Sequence, residues 1–376
     1  MRTFNTTGIC DPKVHYMVNI DRQVEAAAKL VRQGHYFCIN HGRQYGKTTT
    51  LDAISSHLSN EYCVLKISFE GADDSAFKTA ATANAYFLKS LKRESRKSDT
   101  NVWDYLKSVC PPGLNAMENI DFFEVVEEMC SISAKPLVVM IDDVDQASNN
   151  DGFINFLSVL RNMFLSRNKF PTFQSVILAG VYDVKNLKIR SDEDYHYNSP
   201  WNIAAPFNVP MNLPADGIAR MLDDYANEHD IQFDTTAIGQ LIYDYTSGYP
   251  FLVSRICQII DAENYGWDKE GVLKAVNVLL YDDNIINRTI RDVIEKDVDT
   301  ADYLQNALER YICYTPYVNG FDKSYHLDLI LREHTPVTIS NRIFKEYMLS
   351  FCFNKNKQPG IHDVKVGDRT IIETLM

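Results

Sequence analysis

The fold of this chain is decided by one stretch, His41-Gly42-Arg43-Gln44-Tyr45-Gly46-Lys47-Thr48-Thr49. A short apolar run, Tyr36-Phe37-Cys38-Ile39, precedes it and predicts a strand, and a helical pattern follows from about residue 47 to 58. A glycine-containing loop between a strand and a helix turns several backbone N–H groups toward one point, which is how proteins hold phosphate. The stretch therefore predicts a phosphate-binding P-loop.

Three residues of the stretch have defined tasks in such a loop. Gly46 allows close approach of the backbone, Lys47 contacts the β- and γ-phosphates, and the Thr48 hydroxyl ligates Mg²⁺. The pattern G-x-x-x-x-G-K-[ST] expects glycine where this chain has His41, and Gly42 comes one position later. Histidine tolerates a positive φ better than most residues, so we expect a slightly reshaped loop that still takes ATP and Mg²⁺ as cofactors.

A second motif lies at the end of the apolar run 137–141, where Asp142 and Asp143 follow directly. Buried strands often end in aspartate, so this Walker B pattern is weak alone and becomes specific beside a P-loop. We expect Asp142 to hold Mg²⁺ through water and Asp143 to polarise the attacking water. Many ATPases place glutamate at the second position, and aspartate is one methylene shorter. Slow hydrolysis is therefore expected.

The order of elements predicts an α/β fold with a parallel sheet flanked by helices. Short apolar strands at 62–68, 137–141 and 175–179 alternate with helical patterns, which indicates strands buried on both faces. After Pro210 the pattern becomes helical. We predict a P-loop nucleotide-binding domain at 1–210, a helical lid at 211–265, a helical and mixed domain at 266–353, and a polar tail at 354–376.

The chain resembles the prokaryotic AAA-like P-loop ATPases, close to the STAND and origin-recognition-type clades. The resemblance spans about residues 8–350, and Gly42 stands where the family has a proline. Apart from the P-loop, it rests on Gly34-His35-Tyr36-Phe37, Ala179-Gly180-Val181-Tyr182-Asp183-Val184, Ser199-Pro200-Trp201-Asn202-Ile203, Gly248-Tyr249-Pro250-Phe251-Leu252-Val253 and Thr338-Ile339-Ser340-Asn341-Arg342-Ile343-Phe344.

The resemblance implies further site residues. It places the N-terminal segment with Tyr16 near the nucleotide base, and it brings the helix that begins at Pro250 toward the nucleotide. It also implies a winged-helix-like fold for 266–353. For a polar sensor, Asp183 is the nearest fit. Arginine-finger candidates are also open, although each is more typical of a surface or structural residue; they are Arg161, Arg190 and Arg255.

The composition limits the kinds of partner and compartment that we expect for this chain. The formal net charge of -12 disfavours broad nucleic-acid binding, which needs a basic surface. The densest basic patch fits the solvated end of a helix; it consists of Lys89, Lys92, Arg93, Arg96 and Lys97. Eight scattered cysteines without a C-x-x-C pair fit a reducing compartment. With no apolar leader or membrane-length run, we expect a cytoplasmic protein.

Three functions remain open at this point. The first is a nucleotide-driven switch or ATPase whose lid closes over Mg-ATP and whose C-terminal region reports to a protein partner. The second is a DNA-associated ATPase that uses the C-terminal winged-helix-like region. Its basic residues there are interleaved with acids; they are Arg288, Arg291, Lys296, Arg342 and Lys345. The third is a nucleotide-binding scaffold that hydrolyses little, because of His41 and Asp143.

Overall fold

A computed structural model describes residues 1–111, 113, 120–147, 150–181, 199–310, 312–313, 318–331, 335–353, 365–366 and 369–370. The chain forms two compact units. The sheet unit comprises residues 20–41 and 47–210. The helical unit comprises residues 1–19, 42–46 and 211–376.

The sheet unit is built on a parallel sheet. Its strands are β1 (Phe37–Asn40), β2 (Cys63–Ser68), β3 (Leu137–Asp142) and β4 (Ser175–Gly180), in the order β1-β4-β3-β2. All three pairings are parallel. The central strands β3 and β4 are buried along their whole length, whereas the edge strand β2 alternates buried and half-buried residues. The predicted parallel sheet flanked by helices is confirmed.

In the described part of the sheet unit, six α-helices accompany the sheet: α1 (Asp21–Arg32), α2 (Lys47–Leu58), α3 (Ala80–Ser98), α4 (Thr100–Val109), α5 (Phe122–Ile132) and α6 (Asp151–Ser166). The break between α3 and α4 has a local cause. Asp99 is extended at φ -153°, and its side chain accepts the Val102 N–H at 3.1 Å as the N-cap of α4. The other carboxylate oxygen accepts the Ala134 N–H at 3.1 Å, which ties α4 to the end of α5.

The carboxyl ends of neighbouring strands lie in register at one edge of the sheet. Ser68 of β2 pairs with Asp142 of β3, and Asn40 of β1 pairs with Gly180 of β4. In open parallel sheets, ligands bind outside the carboxyl ends of the strands. A ligand-binding site is therefore expected in the loops that follow these strand ends.

The helical unit contains α7 (Ala215–His229), α8 (Thr235–Thr246), α9 (Pro250–Ala262), α10 (Lys269–Tyr281), α11 (Ile285–Lys296), α12 (Val298–Glu309), α13 (Phe321–His326) and α14 (Arg342–Tyr347). A π-helical turn at Met348–Phe353 follows, and β5 (Lys365–Val366) pairs antiparallel with β6 (Arg369–Thr370). The first three helices agree with the helices predicted for the lid. A winged-helix arrangement of 266–353 stays a prediction.

In the part of the chain that the structure describes, no helix is both long enough and apolar enough to cross a membrane.

Candidate phosphate-binding site

Lys47 stands where the sequence predicts the functional lysine, at the first residue of α2. Its side chain is 9% exposed, and Nζ donates a hydrogen bond to the His41 carbonyl at 2.8 Å. His41 directly follows β1, so this bond joins the two ends of the loop inside the sheet unit. A buried ammonium needs hydrogen-bond acceptors. The His41 carbonyl is such an acceptor, and a phosphate oxygen can take its place.

Two residues of the loop adopt left-handed backbone. Gln44 has φ +56° and Gly46 has φ +76°. A Cβ added at Gly46 would meet nothing within 4 Å, so glycine is favoured there by the left-handed backbone alone and not by a lack of space. Gln44 Oε1 is buried and has no hydrogen-bond partner among the described residues. The open space at Gly46 and the unsatisfied buried Gln44 oxygen fit a loop that accepts a polar ligand.

Gly42 is required for a different reason. A Cβ added there would lie 2.8 Å from the Leu327 carbonyl oxygen, so the backbone of the segment after α13 leaves room only for glycine. The Gly42 N–H also donates to Asp328 Oδ2 at 2.6 Å. This chain has glycine one position after the motif's first glycine, and the contact with the C-terminal part of the helical unit explains why.

The middle of the loop packs on the residues just before α9. The rings of Tyr45 and Tyr249 lie 4.4 Å apart, and the Tyr249 hydroxyl donates to the Arg43 carbonyl. The Tyr45 hydroxyl donates to Asn212 Oδ1 at 3.2 Å. Burial raises the pKa of Tyr249 well above its ordinary value, so this phenol stays protonated and remains a donor. Arg43 itself is exposed.

The acidic end of β3 adopts an unusual backbone conformation. Asp142 is buried, and its Oδ1 accepts the Asp143 N–H at 3.0 Å. Asp143 is left-handed at φ +54°, which costs energy for a residue with a Cβ, although aspartate tolerates it better than most. Such strain persists where surrounding contacts enforce it, and it is common at functional sites.

Ser68 reaches this acid from the neighbouring strand. Its hydroxyl donates to Asp143 Oδ2 at 3.0 Å. Burial raises the pKa of the Asp143 carboxyl, and the negative charge of Asp142 raises it further, whereas the hydrogen bond from Ser68 lowers it. A carboxyl with a raised pKa beside a buried acid is typical of a group that can exchange a proton with water.

The loop after β3 also fixes the exit of β4. Asp145 Oδ1 accepts the Val181 N–H at 3.1 Å, and a Cβ at Gly180 would lie 2.7 Å from Val144 Cγ2. This contact explains why the strand tip carries glycine. The sensor candidate Asp183 lies outside the described residues, as does the arginine-finger candidate Arg190.

The remaining predicted site residues are placed as follows. Thr48 and Thr49 lie in the first turn of α2, half-buried. Pro250 is the first residue of α9, where its missing N–H costs no helical hydrogen bond. Tyr16 is 2% exposed, with its ring 4.9 Å from Phe4 and 5.3 Å from Tyr225. The nucleotide contacts assigned to these residues stay predictions.

Most of the basic residues considered for DNA or as arginine fingers have acidic or structural partners. Arg161 donates to Asn202, Arg255 pairs with Asp282 at 2.8 Å, and Lys92 donates to the Cys110 carbonyl. Arg96 stacks over the Trp103 ring. Further ion pairs are Arg288–Asp283, Arg291–Asp283, Lys296–Asp292 and Arg342–Glu346.

Four side chains that contact the loop or the acids are not predicted as site residues by the sequence: Ser68, Asn212, Tyr249 and Asp328. Tyr249 lies in the segment 248–253 that resembles the family, directly before the helix that begins at Pro250. Ser68 ends a predicted strand, and a polar residue at a strand end is a sequence signal for a site residue. Asn212 and Asp328 carried none, because their contacts join residues 167 and 286 positions apart.

Comparison with known proteins identifies the family. The sequence profile of a family described as the AAA-like domain matches residues 11–318. The Walker-type ATPase paby2304 of Pyrococcus abyssi superposes with a TM-score of 0.63 at 12% identity, over 92% of this chain and 99% of that chain. At this identity the likeness shows the fold.

A second solved structure, the Aeropyrum pernix ORC2 protein in its ADPNP-ADP complexes, is 12% identical over 92% of this chain and 97% of that chain. Its TM-score of 0.44 is too low to bear on the fold. Among curated proteins no significant match was found.

Proposed function

The chain belongs to the AAA-like domain family, and on that premise we propose that it binds ATP with Mg²⁺ and acts as a nucleotide-dependent switch. The observation that carries the proposal lies in the sheet unit. Lys47 begins the helix after β1, and Asp142 ends β3, with Asp143 directly after it, at the same edge of one parallel sheet. An ammonium and a pair of acids at this edge are what a metal-bound triphosphate requires.

Each group has a defined part in binding. The loop N–H groups and the N-terminus of α2 would cradle the phosphates, and the Lys47 ammonium would exchange its bond to His41 for phosphate oxygens. The Thr48 hydroxyl and the Asp142 carboxylate would hold Mg²⁺, since oxygen donors are what this ion prefers. Bound Mg²⁺ supplies positive charge that offsets the charge developing on the transferred phosphoryl group.

Asp143 is the residue we assign to hydrolysis. Ser68 and the Asp142 carboxylate fix it on both sides, and its raised pKa suits a base that accepts a proton from water. The shorter aspartate side chain would place water less well than glutamate does. We therefore propose slow turnover, suited to a switch that stays in the ATP state long enough to engage a partner.

A protein is the partner that the charges favour. Most of the arginines and lysines between Arg288 and Arg342 that could follow a phosphate backbone are paired with carboxylates. The net charge of -12 adds a general repulsion for nucleic acid. We propose that the helical unit reports the nucleotide state to that protein.

The test is calorimetric titration of Mg-ATP into the parent protein, Lys47→Ala and Lys29→Ala. Lys29 is exposed on α1 and serves as the matched control. We expect Lys47→Ala to weaken binding roughly 10–100-fold, the range for losing hydrogen bonds to a charged group, and Lys29→Ala to leave it unchanged. No binding by the parent, or equal binding by Lys47→Ala, would overturn the proposal. A parent that binds without measurable turnover would favour the scaffold.

A further inference from the structure

Asp328 lies at the end of a rigid turn in the helical unit. It follows α13 with a left-handed backbone at φ +54°, and the Leu329 N–H donates to the Ser324 carbonyl at 2.9 Å. This is the hydrogen-bond pattern of a Schellman cap, whose left-handed residue is usually glycine. An aspartate in left-handed backbone costs conformational energy that glycine would avoid. A function of its side chain would explain why aspartate stands there.

The turn is held from both sides. Lys323 of α13 pairs with Asp297 at 2.9 Å, and a Cβ at Gly320 would lie 2.2 Å from the Asp299 carbonyl, so α13 packs tightly on the start of α12. After the turn, the Ser340 N–H donates to the Leu329 carbonyl at 3.0 Å. The Asp328 carboxylate therefore has little freedom to move.

This carboxylate is 4% exposed and accepts the Gly42 N–H at 2.6 Å. The next residue of the loop is also fixed through its main chain, because its carbonyl accepts the Tyr249 hydroxyl. Tyr249 is itself held by Phe344 of α14, with ring centroids 5.4 Å apart. The Gly42 N–H is thus held by the turn after α13, and the Arg43 carbonyl by Tyr249, which packs on α14.

We propose that Asp328 is a positioning residue for nucleotide binding, which holds the phosphate-binding loop through the Gly42 N–H and lets the segment 318–331 control nucleotide affinity. The inference rests on the proposed function. Fixing the main chain at residues 42 and 43 directs the N–H groups that follow, and a preorganised loop loses less entropy when phosphate binds. A partner that displaces the segment would lower the affinity for nucleotide.

Two variants separate a hydrogen-bonding role from a charge effect. A buried carboxylate near the loop repels phosphate, so a pure charge effect would make both Asp328→Ala and Asp328→Asn bind Mg-ATP more tightly. As an anchor, Asp328 acts through an acceptor oxygen, which asparagine keeps and alanine lacks. We expect Asp328→Ala to weaken Mg-ATP binding roughly tenfold, and Asp328→Asn to restore most of the loss.

The second measurement is hydrogen exchange of the Gly42 amide in the nucleotide-free protein, with the melting temperature recorded for each variant. We expect Asp328→Ala to accelerate Gly42 exchange and Asp328→Asn to do so far less. Unchanged exchange in Asp328→Ala, or tighter nucleotide binding in both variants, would overturn the inference. If Asp328→Ala does not fold, Asp328→Asn decides: Mg-ATP affinity and Gly42 exchange close to those of the parent support the anchor, and tighter nucleotide binding overturns it.

If the parent protein binds no nucleotide, both the proposed function and the control of nucleotide affinity by segment 318–331 are wrong. The Gly42 exchange rates would still show whether Asp328 holds the loop, so the two failures are distinguishable.

Discussion

The Ser68 hydroxyl donates to Asp143 Oδ2 across neighbouring strands at 3.0 Å. This hydrogen bond lowers the pKa of the Asp143 carboxyl, which burial and the charge of Asp142 raise. A base works in its ionised form, so turnover should fall as pH drops through a pKa above the ordinary 3.8. Without the Ser68 bond the pKa rises further. Ser68→Ala should therefore shift the acidic limb of the kcat–pH profile to higher pH.

Ser158→Ala is the matched control for this shift. Its hydroxyl donates to the Ile154 carbonyl on the exposed side of α6. An acidic limb that stays in place in Ser68→Ala, or moves equally in both variants, would mean that Asp143 is not the titrating base.

Asp143→Asn should separate turnover from stability. Loss of a positioned base lowers turnover by roughly 10²–10⁴-fold, while Mg-ATP binding through Lys47 is retained. Because the folded pKa of Asp143 is raised, the ionised carboxyl lowers the stability of the fold as pH rises above the ordinary value. Asparagine removes that charge and accepts left-handed backbone. The free energy of unfolding at neutral pH should therefore stay equal or increase, which chemical denaturation checks.

Gly46→Ala should impair binding beyond its effect on stability. Gly46 has φ +76° with open space around it, so the folding cost comes from the backbone alone, about 1–2 kcal/mol. Gly71 offers a matched control, at φ +71° with equally open space, in the turn after β2. Both alanine variants should lose similar stability in thermal unfolding. Only Gly46→Ala should weaken Mg-ATP binding, and equal binding by the two variants would remove Gly46 from the site.

The elements of the sheet unit could be predicted because their signals are local. The apolar run 137–141 and the Gly-Lys-Thr sequence define β3 and the start of α2 without knowledge of any distant residue. The chemistry around them could not be predicted in the same way. The Gly42–Asp328 bond joins residues 286 positions apart, and the left-handed Asp143 accepts a hydrogen bond from Ser68, 75 positions before it. Such features follow from tertiary packing.

The Tyr249–Arg43 bond predicts a response of α9 to nucleotide. Its donor stands directly before the first turn of α9, and its acceptor is the main chain of the phosphate-binding loop. Nucleotide that orders the loop should therefore increase hydrogen-exchange protection at residues 249–253. Tyr249→Phe, which keeps the ring and loses the donor, should abolish that increase. Protection confined to residues 42–49 in the parent would contradict it.

Duplex DNA should bind weakly or not at all at physiological salt. Arg288 and Arg291 share Asp283, at 3.9 and 3.3 Å, so these cations are partly neutralised on the protein itself. Any binding at low salt should fall steeply as salt rises, because it depends on counterion release. The basic end of α3 is the expected place for it, and Lys89→Glu should reduce it more than Arg288→Glu does. Fluorescence anisotropy with a labelled duplex at several salt concentrations measures this. Submicromolar binding that resists salt would instead favour the DNA-associated ATPase.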